Sequence, residues 1–343
     1  MVSLGLVLLL EVAGCTSGRG IQQAPPPPTE EAELLQAEAE WNDIQAAVQE
    51  KLICHKEQLR NGKNTVHFQS DIGRIGEFFR KYQKSAPDFA WAAKTFLAVR
   101  ILQDALQQSR EALGVLREVT TLAGSPLVAG IAALHAGEIL LSDGNEAGIR
   151  QLVGTYESRA TKDPQIHTAL QSLLVRVQLL PGRFFLDIQF ESLQGETVKL
   201  AQLRGRMVVL TVFNVEAEAC RQELVRLAEC RGELDPRKVV FLGISVDRER
   251  DRLESMLREF RVDFPVGFDG KEWRTPAIQT LAIQTLPSSY VIDPQGKILC
   301  AGVRGLQLKE LIKEAFRNLE EKGAFPVDRL PEKRGMQASE TSL

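Results

Sequence analysis

The sequence changes character at Pro181-Gly182, and that break most restricts what the chain can fold into. From Glu30 to about Leu180 strong helix formers dominate, beginning with Glu30-Glu-Ala-Glu-Leu-Leu-Gln-Ala-Glu-Ala-Glu-Trp41. Apolar residues keep helical spacing there and strand signals are few. Beyond the Pro-Gly pair, short β-branched and aromatic runs alternate with helical stretches, the pattern of an α/β domain. With 343 residues, 44% hydrophobic and 25% charged, the chain is long enough for about two domains with cores of their own.

Within the helical region three prolines, Pro87, Pro126 and Pro164, each precede an Ala-rich or apolar helix and lie 39 and 38 positions apart. A breaker at the first turn, followed by small and apolar residues at i, i+3 and i+4, marks stacked helical hairpins. Ala92, Ala93, Ala132, Ala133 and Ala169 are then contact positions, and Gly144 is a turn between helices. The period resembles, and somewhat exceeds, that of tetratricopeptide repeats; a non-repetitive helical bundle is the competing reading. The resemblance implies a concave surface for protein or peptide partners.

The N-terminus carries a different signal. The run Leu4-Gly-Leu-Val-Leu-Leu-Leu10 is too short to span a bilayer, which takes about 20 residues. It is followed by Val12-Ala13-Gly14-Cys15, and this resembles a bacterial lipoprotein signal, in which Cys15 would become the lipidated first residue. A generic secretory signal or a chance apolar start is the alternative. The resemblance implies a membrane-anchored protein of the bacterial cell envelope, on the periplasmic side. Residues 16–29, with Pro25-Pro-Pro-Pro28, read as a stiff spacer, and residues 323–343 as a polar, breaker-rich disordered tail.

Charge and cysteine usage exclude several classes. A net charge of −3, with basic residues spread along the whole length, supplies no field to hold a phosphate backbone, so nucleic acid is set aside as a partner. The five cysteines, Cys15, Cys54, Cys220, Cys230 and Cys300, show no metal-ligand spacing, and neither metal nor cofactor is expected. Cys220 and Cys230 lie on one predicted helix with an axial rise of roughly 15 Å between them, beyond the roughly 7 Å that a disulfide tolerates. Cys54, His55, Cys230 and Cys300 read as packing residues, and His67, His135 and His167 as scattered.

The chemistry-bearing stretch is Met207-Val-Val-Leu-Thr-Val-Phe-Asn214-Val-Glu-Ala217-Glu-Ala-Cys220-Arg-Gln-Glu223, an apolar strand running into a helix. Together with Leu286-Pro287-Ser-Ser-Tyr-Val-Ile-Asp293 it resembles the exported thioredoxin-like family of TlpA and ResA type. That family's strand ends in Trp-Cys-x-x-Cys-Arg-x-Glu; Cys220-Arg221-Gln222-Glu223 matches the second half, and Ala217 stands where the first cysteine would be. The resemblance covers roughly Pro181 to Leu319. It implies an α/β thioredoxin-like domain at 181–322, which follows the α-helical, tetratricopeptide-like region read at 30–180.

A dithiol cycle needs both sulfurs: one thiolate attacks the substrate disulfide and the second releases the product. Ala217 cannot begin that reaction. Asn214 reads as an N-cap, Glu216 and Glu218 place carboxylates in the first turn, and Cys220 shares the core-facing stripe of Leu224 and Leu227. Pro287 matches the family's cis-proline, which implies a peptide groove formed by Leu286, Pro287 and Asn214 beside Ala217. The expected function is therefore a protein-binding module with little dithiol activity. The competing expectation is a one-cysteine enzyme, a monothiol reductase or peroxidase, using Cys220. A peroxiredoxin-like site is the weaker form of it, because Thr at position 217 and Pro at position 213 are both absent.

Overall fold

A computed structural model describes residues 29–62 and 66–325. The proposed lipidation site Cys15, most of the spacer and the greater part of the tail lie outside the described residues. The chain divides into two compact units, Met1–Val177 and Gln178–Leu343.

The first unit is helical. Helix α1 (Thr29–Arg60) presents Ala37, Trp41, Ile44, Val48 and Leu52 at spacings of three or four, and all are buried. They pack against α2 (Gln69–Tyr82) and α3 (Pro87–Phe96), where the Trp41 ring lies 5.5 Å from Phe78 and 5.4 Å from Phe96. A π-helical segment, Leu97–Ala105, continues α3, and α4 (Ser109–Leu122), α5 (Pro126–Ser142), α6 (Glu146–Glu157) and α7 (Pro164–Gln178) follow. Each of the three evenly spaced prolines opens a helix, and Gly144 adopts the positive φ of a turn.

The two intervals differ in content, however. The first holds α3, the π-helical segment and α4; the second holds two regular helices, α5 and α6. That departs from the uniform hairpin that the spacing predicts. Ala92, Ala93, Ala132 and Ala133 are buried and Ala169 is half-buried. The closest helix contacts are made by glycines that the repeat reading passed over: a Cβ on Gly130 would lie 2.3 Å from Ile166, and one on Gly137 2.3 Å from Leu173. Arg159 closes the end of α4, its guanidinium donating to the carbonyls of Thr120 (3.0 Å), Gly124 (3.0 Å) and Ala123. These are carbonyls that a helix end leaves without intrahelical partners.

The second unit opens with a hairpin, β1 (Gln189–Glu191) and β2 (Thr197–Lys199), turning at Gly195. Then come β3 (Met207–Phe213), α8 (Glu218–Gly232), β4 (Val239–Ser245), α9 (Arg250–Glu259), β5 (Val266–Gly267), the short α10 (Pro276–Thr280), β6 (Ser288–Ile292), β7 (Ile298–Ala301) and α11 (Leu306–Glu321). The five-stranded sheet has the order β5-β4-β3-β6-β7, with β3, β4 and β5 parallel and β6 and β7 antiparallel to their neighbours. This is a thioredoxin-like α/β arrangement with the hairpin that the sequence places around Asp293-Pro-Gln-Gly296.

Strand β3 is central and buried along its whole length, which explains why its sequence is a continuous apolar run with no alternation. Gly243 of β4 is forced by the same packing, since a Cβ there would lie 2.8 Å from the Phe213 ring. Leu224 and Leu227 of α8, Leu253 of α9, and Leu308, Ile312 and Phe316 of α11 complete one core with the sheet.

Candidate functional site

The site lies where β3 ends and α8 begins. The parallel register with β4 carries Phe213 to Ser245, and Val246 N–H donates to the Phe213 carbonyl at 2.9 Å, so the two strands release their loops side by side. Asp247, 5% exposed, ties the loops together. Its carboxylate accepts the Val215 N–H at 3.0 and 3.2 Å and the Ser245 hydroxyl at 2.7 Å. Burial pushes this carboxyl above the usual range, and the nearby Glu216 pushes it the same way; the Ser245 and Val215 hydrogen bonds oppose both. The sequence reading missed Asp247. Its signal was a Ser-x-Asp spacing at the end of an apolar strand, where a carboxylate two residues on can fold back to the backbone.

Ala217 is the N-cap residue of α8, exposed and with no side-chain cap. Asn214, expected at that position, caps the preceding turn instead: its Oδ1 accepts the Glu216 N–H at 2.6 Å. Arg221 fixes the segment by donating to the carbonyls of Val215 (3.1 Å) and Glu216 (2.9 Å) and to the Glu218 carboxylate (3.0 Å). Arg252 pairs with Glu216 at 2.7 Å. Glu218 alone stands in the first turn, Glu216 lying just before the N-cap; both carboxylates are balanced by arginines, so their effect on a neighbouring thiol is weaker than the sequence alone implies.

Cys220 closes the first turn, its N–H donating to the Ala217 carbonyl at 3.0 Å, and its side chain is 0% exposed within the core. Burial pushes the thiol above its ordinary pKa, reinforced by the carboxylates of Asp247 and Glu223; the Asn214 backbone and Arg304 oppose this. One turn on, Glu223 is 2% exposed and accepts the Gly305 N–H, at the start of α11, at 2.8 Å. Burial raises its pKa as well.

The β3–β6 pairing ends at Val212 and Ser288, which sets Pro287 beside the end of β3. The Leu286-Pro287 bond is cis. Pro287 is buried, and Leu286 is half-buried against the core. Of the three residues assigned to a groove, Asn214 lines a cavity, of about 300 Å3, and Leu286 and Pro287 do not. Behind them, the Thr211 and Ser289 hydroxyls share a buried hydrogen bond of 3.0 Å across the β3–β6 pair.

The remaining thiols among the described residues are free: Cys230 is buried with its pKa pushed up to about 11, chiefly by that burial, Cys300 is half-buried, and Cys54 is exposed. Cys54 is thus not the packing residue that its neighbour His55 is. His167 pairs with Glu157 at 2.6 Å.

Residues 181–300 match the model of the AhpC/TSA family. These residues form a redoxin domain of that family. The redoxin region also resembles thiol-disulfide oxidoreductases named ResA. It is 24% identical over 128 residues to that of Bacillus thuringiensis subsp. konkukian, covering 37% of this chain and 71% of the relative. It is 23% identical over 129 residues to that of Bacillus subtilis, covering 38% and 69%. Among solved structures, the thioredoxin domain of a thiol-disulfide oxidoreductase from Bacteroides vulgatus aligns with TM-score 0.37 and 21% identity, over 40% of this chain and 98% of that one. A thiol-disulfide oxidoreductase from Bacteroides fragilis aligns with TM-score 0.36 and 22% identity, over 39% and 99%.

Proposed function

We propose that this chain is an exported, lipid-anchored relative of the thiol-disulfide oxidoreductases whose redoxin domain binds protein or peptide partners and carries out little dithiol exchange. The observation that carries this reading is the pairing of an exposed Ala217, at the helix terminus where an attacking thiol would sit, with a Cys220 that is 0% exposed. Attack requires a thiolate in contact with its target, and burial opposes both conditions. The Gly14-Cys15 signal and the ResA likeness support a site in the cell envelope. The helical unit, with its proline-led helices, would serve as a second partner-binding surface.

The test is alkylation of the folded full chain with iodoacetamide, read by peptide mass spectrometry. Exposed Cys54 supplies the internal reference. Cys220 is expected to label at least about a hundredfold more slowly than Cys54, because its thiolate is scarce and the core must open first. Labelling of Cys220 within about tenfold of Cys54 would make it a reactive monothiol and defeat the binding-module reading.

A further inference from the structure

The cavity at the carboxyl ends of β3 and β4 has contents that the fold does not need. Crevices outside the carboxyl ends of parallel strands are where open α/β sheets receive ligands. At about 300 Å3 it lies at the small end of the roughly 300–1,000 Å3 typical of small-molecule pockets, a size for one large side chain. Its lining carries four carboxylates against two guanidinium groups. Glu216 and Arg252 pair with each other at 2.7 Å, and Asp247 is buried and bonded to Val215 and Ser245, which leaves Glu249 and Glu272 with Arg248. Trp273 borders the same space, 43% exposed, and its carbonyl accepts Gln279 Nε2 at 2.6 Å. Among the described residues no three His, Cys, Asp or Glu side chains are placed to hold one metal ion, so the carboxylates do not converge on a point charge. Negative charge beside an exposed tryptophan suits a planar cation with delocalised charge.

We propose that this cleft receives the guanidinium of an arginine presented by a partner peptide, stacked on Trp273 and balanced by Glu249 and Glu272. The inference rests on the binding-module reading and names the chemistry of its partner. The probe is Nα-acetyl-arginine methylamide, titrated into the full chain with its tryptophans 15N-labelled. The chain has three tryptophans, and Trp273→Phe identifies the relevant indole signal. A saturable shift of that signal is expected with the arginine probe and not with its uncharged citrulline counterpart. The double variant Glu249→Gln/Glu272→Gln is expected to weaken binding by about tenfold while melting as the parent does.

An equal response to citrulline, an unchanged affinity in the double variant, or no shift up to about 10 mM probe would overturn the proposal. The two readings fail separately. A silent titration with Cys220 still protected removes the arginine pocket alone, whereas rapid Cys220 alkylation beside an intact titration removes the binding-module reading and leaves the pocket.

Discussion

Replacing Ala217 with cysteine should turn the redoxin domain into a working dithiol, and the size of the effect follows from the helix end. Ala217 is exposed, so the new sulfur meets no packed neighbour. The Cys220 N–H bond to the Ala217 carbonyl closes a four-residue turn, and such turns hold their end Cα atoms within about 7 Å, inside the reach of a disulfide. A helix N-terminus stabilises an anion by roughly 0.3–1 kcal/mol; at about 1.36 kcal/mol per pKa unit, a thiol near 8.5 falls to about 7.8–8.3. Glu216 and Glu218 do not cancel this, since Arg252 and Arg221 hold them. At pH 7 the new thiol is then roughly 5–14% ionised, and Cys220, whose pKa burial has raised, is ionised less than an ordinary thiol. Position 217 should therefore attack first and Cys220 resolve. The assay is insulin reduction driven by dithiothreitol, with intact mass under glutathione buffers to detect the internal disulfide. A217C should reduce insulin and lose two hydrogens on oxidation, and the parent chain should do neither. If the variant forms no internal disulfide while folded, or the parent is equally active, the account of the site is wrong.

Two further outcomes concern stability. Glu223 has a native pKa raised by burial, so the native state holds a proton that the unfolded chain releases above about pH 4.3. Its contribution is full below that value and is lost as pH rises through the raised native pKa. Glu223→Gln, which keeps an acceptor for Gly305, should flatten that decline in urea titrations run across the range; an unchanged slope would refute the assignment. For the helical unit, G130A and G114A should differ in sign. A Cβ at position 130 meets three atoms of the β-branched Ile166 side chain within 3.0 Å, the nearest at 2.3 Å, and the overpacking costs about 2–3 kcal/mol against about 1 kcal/mol of gained helix propensity. A Cβ at position 114 meets nothing within 4 Å and should stabilise by roughly 0.5–1 kcal/mol. Thermal melts that move the same way for both variants would contradict the close α5–α7 approach.

Much of the redoxin domain was legible because its elements announce themselves locally. A seven-residue apolar run can only be a central strand, Asp-Pro-Gln-Gly can only turn, and Pro87, Pro126 and Pro164 each opened a helix as read. What failed to show were interactions set by distant partners. Asn214 has the composition of an N-cap, but Arg221 and Asp247 shape the loop so that it caps the turn before the helix. Glu216 and Glu218 look like unopposed charge until the fold brings Arg252 to the first and turns Arg221 back on the second. Cys54 and His55 are adjacent in sequence yet face opposite environments on α1, a distinction that depends on where Phe68 and Ala105 come to lie. The glycines of α5 read as weak helix residues, and only the position of α7 shows them as contact surfaces.

The clasp that Arg159 places on α4 orders events during synthesis. The carbonyls it satisfies lie 35 to 39 residues behind it, with α5 and α6 between. A chain emerging N-terminus first makes α4 well before it makes the group that finishes it, and water must serve those carbonyls in the interval. The carboxyl end of α4 is thus provisional until residue 159 has cleared the ribosome. Any stall or proteolytic cut between Leu122 and Arg159 leaves a fragment in which α4 frays from its carboxyl end.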